Sequence, residues 1–316
     1  MSAHAPISRP ASALVSPTVL ERAFEDPEHV LDLLDRGSPY KTLAASHREP
    51  TSTPAAPWFR NFWALGGKVL FGGADDVFHN PIYVEAAKEL FGAQVVSPLA
   101  MMTNLNAPGP DAPPHLDLPF FRGAHQREVP AWMLAPMGYS GLFHRWAIPV
   151  ASVITWFYGG PGGEFEYWPD GFDQPSLRVS ELAANQAVMA DNEYTYHRVC
   201  QVGEAHDFRP DNRVPYSSTL ELDGDHWVIS DEGADLARYG RDEIRMSVLW
   251  KAYCFADQAE ADAFTSGADN LTPAQIVDLF QGDLRHRGIT IDPPENLDGE
   301  DRWSHTIRDT YGVTGY

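Results

Sequence analysis

Between residues 94 and 255 the chain consists of short apolar or alternating runs, each cut off by glycine and proline. Runs of four to eight such residues bounded by turn signals read as strands. The densest break, Gly159-Gly160-Pro161-Gly162-Gly163, ends the apolar run 147–158. After it, Glu164-Phe165-Glu166-Tyr167-Trp168 alternates at period two, as a half-buried strand does. Further strands are expected at 94–106, 186–189, 193–200 and 244–255, with a hairpin at 219–230 turning at Asp223-Gly224.

Helix signals lie outside this region. Asp26 caps a helix that Pro27 opens and Gly37 stops, and Asn80, Pro81 and Gly92 mark a second. Helical periodicity returns at 257–265 and at 273–287. Strands in the middle and helices at both ends predict a mainly β domain, a barrel or jelly roll with flanking helices. The expected organisation is a flexible arm, residues 1–17, followed by one domain, residues 18–316. Its β core spans about 94–255, an insertion about 203–242, and helical flanks 18–92 and 256–316. Residues 38–57 read as loop. The insertion reads either as a lid or as a solvated surface excursion.

The chemistry centres on His115-Leu116-Asp117, delivered by the proline-rich loop 107–114. On a strand, residues i and i+2 point to the same side, so His115 and Asp117 can hold one metal. His197, on a later strand, supplies a third ligand. Two imidazoles and one carboxylate on one face of a divalent iron leave the opposite face open. Another His-x-acid triplet, His47-Arg48-Glu49, lies in a polar loop with no rigid strand to aim it. With 12 His and 44 acidic residues, about one or two such triplets arise by chance. His206 is the competing third ligand, in a loop-like setting.

Composition narrows the partners. A formal charge of -21 disfavours nucleic acid and anionic membranes. No apolar run is long enough to span a bilayer, and residues 1–17 lack the basic start and apolar run of a secretory signal. Two cysteines are too few for a disulfide framework. A cytoplasmic protein acting on a small molecule is the expectation, with its oligomeric state left open.

Four stretches together, His115-Leu116-Asp117, Gly162-Gly163-Glu164-Phe165, His197 and Arg245-Met246-Ser247, resemble the iron(II)/2-oxoglutarate-dependent dioxygenase superfamily over roughly residues 95–255. The resemblance implies a double-stranded β-helix of the jelly-roll or cupin-like kind. It implies His115, Asp117 and His197 as ligands to Fe(II), with 2-oxoglutarate and O2 as co-substrates. Arg245 then pairs with the far carboxylate of 2-oxoglutarate, for which its planar fork is suited, with Ser247 and Asn104 assisting. The reaction implied is oxidation of a C–H bond with release of succinate and carbon dioxide, and the retained Asp117 favours hydroxylation over halogenation. Many members place the Arg nearer the last His; here 48 positions (245 minus 197) separate them. Arg198 is closer in sequence but points away if His197 points in. Asn106 is a further candidate to hydrogen-bond the co-substrate. Phe120, Phe121, Arg122, Trp132 and Trp156 are candidates to line a substrate pocket. Two rival readings are a cupin-like metalloenzyme that does not use 2-oxoglutarate and a non-catalytic β-barrel binding protein.

Overall fold

The structure is a computed structural model that describes residues 15–46, 53–124, 129–179, 185–209, 211–299 and 301–312. The triplet His47-Arg48-Glu49 and most of the expected arm lie outside these residues. In chain order the elements are β1 (Thr18–Leu20), α1 (Pro27–Arg36), β2 (Tyr40–Thr42), β3 (Trp58–Leu65), β4 (Lys68–Val69), α2 (Asp75–Phe78), α3 (Pro81–Phe91) and β5 (Val95–Asn106). After α4 (Ala131–Ser140) come β6 (Val150–Phe157), β7 (Phe165–Trp168), β8 (Leu177–Val179), β9 (Ala187–Ala190) and β10 (Tyr196–Val199). Then follow β11 (Thr219–Asp223), β12 (His226–Asp231), β13 (Ala234–Gly240), β14 (Arg245–Phe255), α5 (Gln258–Ser266), α6 (Pro273–His286) and α7 (Arg302–Tyr311).

The strands form two antiparallel sheets. The larger has 11 strands in the order β1-β9-β6-β14-β5-β3-β2-β11-β12-β13, with β4 on β3; the smaller is β10-β7-β8. His115 extends the smaller sheet by bridging to His197 of β10. The chain therefore passes from β5 in the large sheet to the His115 segment in the small one. It returns to β6, crosses to β7 and β8, returns to β9, crosses to β10, and ends in β14. This winding between two facing sheets is a double-stranded β-helix.

β14 is the central strand, paired with β5 on one side and β6 on the other. Its alternation assigns its two faces. Met246, Val248 and Trp250 point outward into the main core, where Trp250 donates its indole N–H to Phe78 O at 2.8 Å. The first helices cover that outer face: Val30, Leu33 and Leu34 of α1 and Tyr83 of α3 are buried in the same cluster. Arg245, Ser247, Leu249 and Lys251 point inward, toward the small sheet. A second core, with Phe143, Phe280, Trp303 and Ile307, joins α4, α6 and α7.

Three expectations need correction. The segment 18–92 is not a helical flank: it contributes β1 to β4, and β3 pairs along β5. Even the stretch read as loop holds β2. The insertion, read as a lid or a surface excursion, is built as sheet. Its hairpin, with Gly224 at φ +61°, carries a third strand, and β11 docks on β2, so the insertion extends the large sheet at the edge remote from β14. Finally, β7 is buried on both faces rather than half-buried. Glu166 is 4% exposed because Arg198, Arg178 and Ser176 surround its carboxylate.

Candidate metal centre and co-substrate pocket

One ligand atom each from His115, Asp117 and His197 lies within 4.8 Å of the others, between the two sheets. The backbone sets this up. His115 and His197 exchange backbone hydrogen bonds at 3.0 Å in both directions, which places their rings side by side with centroids 4.5 Å apart. Asp117 is fixed by its N–H donating to Asn192 O at 2.9 Å.

The imidazoles are prepared as ligands. His115 Nδ1 lies 3.1 Å from Pro113 O and His197 Nδ1 lies 2.9 Å from Thr195 O. A carbonyl oxygen only accepts, so each Nδ1 carries the proton and each Nε2 keeps its lone pair. Burial pushes His197 down to about 4, so it is neutral at physiological pH. For Asp117, burial alone would raise the pKa. The ammonium of Lys251 at 2.8 Å outweighs it and holds the carboxylate ionised. Two imidazoles and one carboxylate gathered this closely fit a divalent iron.

Lys251 gave no signal in the motif reading. It is 7% exposed and also meets Glu193 and Ser152, both buried. Behind Glu193 sits Asp191, whose pKa burial and the Glu193 charge push well up.

At the other end of the inner face is Arg245, 1% exposed. Its Nε donates to Gly163 O at 2.7 Å, and its guanidinium lies 5.7 Å over the Trp156 ring. Among the described residues no carboxylate is within ion-pair distance of it, and Nη2 has no partner. Burial lowers its pKa to about 10. Asn106 stands directly opposite in β5, and both its side-chain Nδ2 and Oδ1 are buried without partners; so is Trp156 Nε1. Unsatisfied buried polar atoms are rare and costly, so four gathered in one place mark a site for a polar guest. Ser247 is close by, its hydroxyl donating to Asn104 O at 3.1 Å. The wall between the two ends is apolar: Trp156, Phe165, Tyr167 and Val188, with Ile154.

Gly163 makes the close approach possible. Its φ is +78°, and a Cβ there would lie 2.9 Å from the Tyr158 ring and 3.1 Å from Arg245 Cδ. Gly163→Ala is expected to cost about 1–3 kcal/mol from backbone conformation alone and to displace Arg245. Thermal unfolding checks the first effect and 2-oxoglutarate titration the second; a variant equal to wild type in both would show that the approach does not matter.

The remaining sequence candidates separate clearly. Trp156 is fully buried beneath the Arg245 guanidinium, with its Nε1 unpartnered. Arg198 points away from the centre, onto Glu166 at 2.6 Å and Asp111 at 3.0 Å. His206 is 82% exposed by side chain and pairs with Asp207. Phe121 and Trp132 belong to the helical core and are not pocket residues. Arg122 is held by Asp269 and Glu260 and donates to Arg145 O, so it is structural rather than a substrate contact. Phe120 packs edge-on against Tyr253, whose ring meets Phe264 of α5. Asn104 does not offer a free acceptor, because its Oδ1 receives Arg60 Nε at 2.7 Å.

No family model and no curated protein matches the sequence. Solved structures with partial similarity are found. A 2OG-Fe(II) oxygenase family oxidoreductase from Burkholderia pseudomallei is 12% identical, with 75% of this chain and 84% of that one covered at a TM-score of 0.41. A Pseudomonas putida prolyl-4-hydroxylase is 12% identical, with 76% and 93% covered at 0.39. HygX from Streptomyces hygroscopicus, solved with nickel, 2-oxoglutarate and hygromycin B, is 8% identical, with 76% and 84% covered at 0.35. Overlap this loose says nothing about activity by itself. No helix among the described residues is long and apolar enough to cross a membrane.

Proposed function

We propose that the protein is an iron(II)- and 2-oxoglutarate-dependent oxygenase that hydroxylates a C–H bond of a small molecule. The observation that carries this reading is the pairing of two sites in the space between the two sheets. A His-His-Asp cluster stands at one end, and a buried guanidinium without an anion, ringed by orphaned polar atoms, stands at the other.

His115 and His197 bind iron through Nε2, each ring held by the carbonyl that accepts its Nδ1 proton. Asp117 completes the set, oriented by Lys251. Arg245 binds the far carboxylate of 2-oxoglutarate through Nη2, and Asn106 and Trp156 offer further hydrogen bonds. The apolar wall keeps water from the reacting groups. When bound, the iron supplies the redox chemistry by which dioxygen oxidises 2-oxoglutarate to succinate and carbon dioxide and delivers one oxygen atom to substrate.

Anaerobic protein mixed with iron(II) and 2-oxoglutarate should show a weak visible charge-transfer band. Arg245→Gln should weaken 2-oxoglutarate binding by roughly tenfold to a hundredfold, the span of a lost charged hydrogen-bond pair, while iron still binds. Tight iron binding in the wild type without the band would remove 2-oxoglutarate from the proposal. Failure to bind iron would remove the metal.

A further inference from the structure

β3 adds a strand to the edge of the barrel beside β5, and its alternation carries the next step. Phe59 points outward and is fully buried in the main core. Arg60 therefore points inward, and its register agrees: Arg60 stands opposite Asn104, Asn104 opposite Ser247, and Ser247 opposite Trp156. Arg60 thus belongs to the face that carries Arg245 and Lys251. It is half-buried, and burial lowers its pKa while the Asp117 carboxylate, close enough to act on it, opposes that shift.

Its partners are few. Nε is spent on Asn104 Oδ1 at 2.7 Å, which aims the fork. Among the described residues no carboxylate pairs with Nη1 or Nη2. Lys251 is paired with Glu193 and Asp117, and Arg122, Arg198 and Arg241 all have acids; Arg209 has none among the described residues but spends its fork on the Arg213 and Leu236 carbonyls, which Arg60 and Arg245 do not. A desolvated charge without a partner is costly unless an anion arrives to meet it. Arg245 is deeper and has the orphaned atoms around it. Arg60 is nearer the metal ligands and the barrel edge. Beside it on the same face, Phe62 packs with Met102, Leu249 and Ile154, which gives an apolar bed next to the guanidinium.

We propose that Arg60 is the receptor for an oxyanion on the substrate, so that the substrate is a small molecule with a carboxylate or phosphate beside an apolar part. This rests on the oxygenase reading, in which Arg245 takes the co-substrate. Terminal guanidinium nitrogens suit either oxyanion.

The test uses saturation-transfer NMR on the full chain with zinc(II) and excess 2-oxoglutarate, a readout that works whether or not metal is bound. Benzoate and phenyl phosphate are the anionic probes and benzamide the neutral control. At least one anion should bind the wild type, bind better than benzamide, and bind Arg60→Gln about tenfold or more weakly. Arg60→Lys should recover part of the loss, and the stronger anion names the class. The iron charge-transfer band should persist in Arg60→Gln, which also shows that the variant is folded. Equal binding of anions by wild type and Arg60→Gln, no binding of either anion, or loss of the band in Arg60→Gln each overturn the proposal. A wild type without the band sinks the oxygenase reading instead, and the NMR comparison still judges Arg60.

Discussion

His197→Ala is expected to abolish the proposed tight iron(II) binding and, with it, the proposed succinate formation from 2-oxoglutarate. The argument is geometric. His197 is 5% exposed, its ring is locked between His115 and Phe165, and its Nδ1 proton is committed to Thr195 O. Among the described residues no other imidazole joins the cluster, and His206 is exposed and turned to Asp207. Loss of an outer-shell partner already costs about 10–100-fold in metal affinity, so loss of a direct ligand must exceed that. The substitution also removes one hydrogen bond and opens a cavity, for an expected destabilisation of about 2–4 kcal/mol. Anaerobic iron titration measures the first effect, and denaturant unfolding of the metal-free protein controls for the second. A folded His197→Ala variant that holds iron as tightly as wild type would mean that the ligand set is wrong.

How far the sequence reaches is clearest residue by residue. His115, Asp117 and His197 were legible because period-two spacing and a rigid lead-in say which side chains can converge. The burial of Arg245 was legible despite the long gap to His197, because it lies inside an apolar strand where a charge demands a partner. The intervening residues form an extension of the sheet, and the insertion leaves the crossing from β10 to β14 unchanged. The same argument applied to Lys251 and Arg60 would have found both. Lys251 lies in the same apolar strand as Arg245, and Arg60 lies among Trp58, Phe59, Phe62 and Trp63.

Other features had no local signal. β3 is covered on its outer face and lined by aromatics on its inner one, so it lacks the polar contrast that marks a half-exposed strand. Asn104 and Asn106 share one face, and spacing cannot say which is free. The hydrogen bond from Arg60 decides it, occupying Asn104 and leaving Asn106 unpartnered. Phe121, Arg122 and Trp132 follow the metal motif in sequence, yet the chain leaves the barrel after Asp117 and carries them into the helical core.

Lys251→Met should destabilise the metal-free protein by about 3–5 kcal/mol, the cost of stripping one partner from a buried ion pair. Lys251 bridges Asp117 and Glu193 between the sheets, with Ser152 as a third contact. Burial works against its ammonium, and the two carboxylates outweigh that, raising its pKa above the usual lysine value. Methionine fills a similar volume, so the loss is electrostatic rather than a cavity. Glu193 is 3% exposed and Asp117 lies near it, so without the ammonium two carboxylates lie close together with no cation between them. Glu193→Gln in the Lys251→Met background should restore much of the stability by removing one of them. The double variant is therefore expected to be more stable than Lys251→Met alone. Urea unfolding of wild type, both single variants and the double variant gives the coupling directly. If the two substitutions simply add, the buried network does not hold Asp117 in place, and the orientation of the carboxylate must come from the Asn192 backbone contact alone.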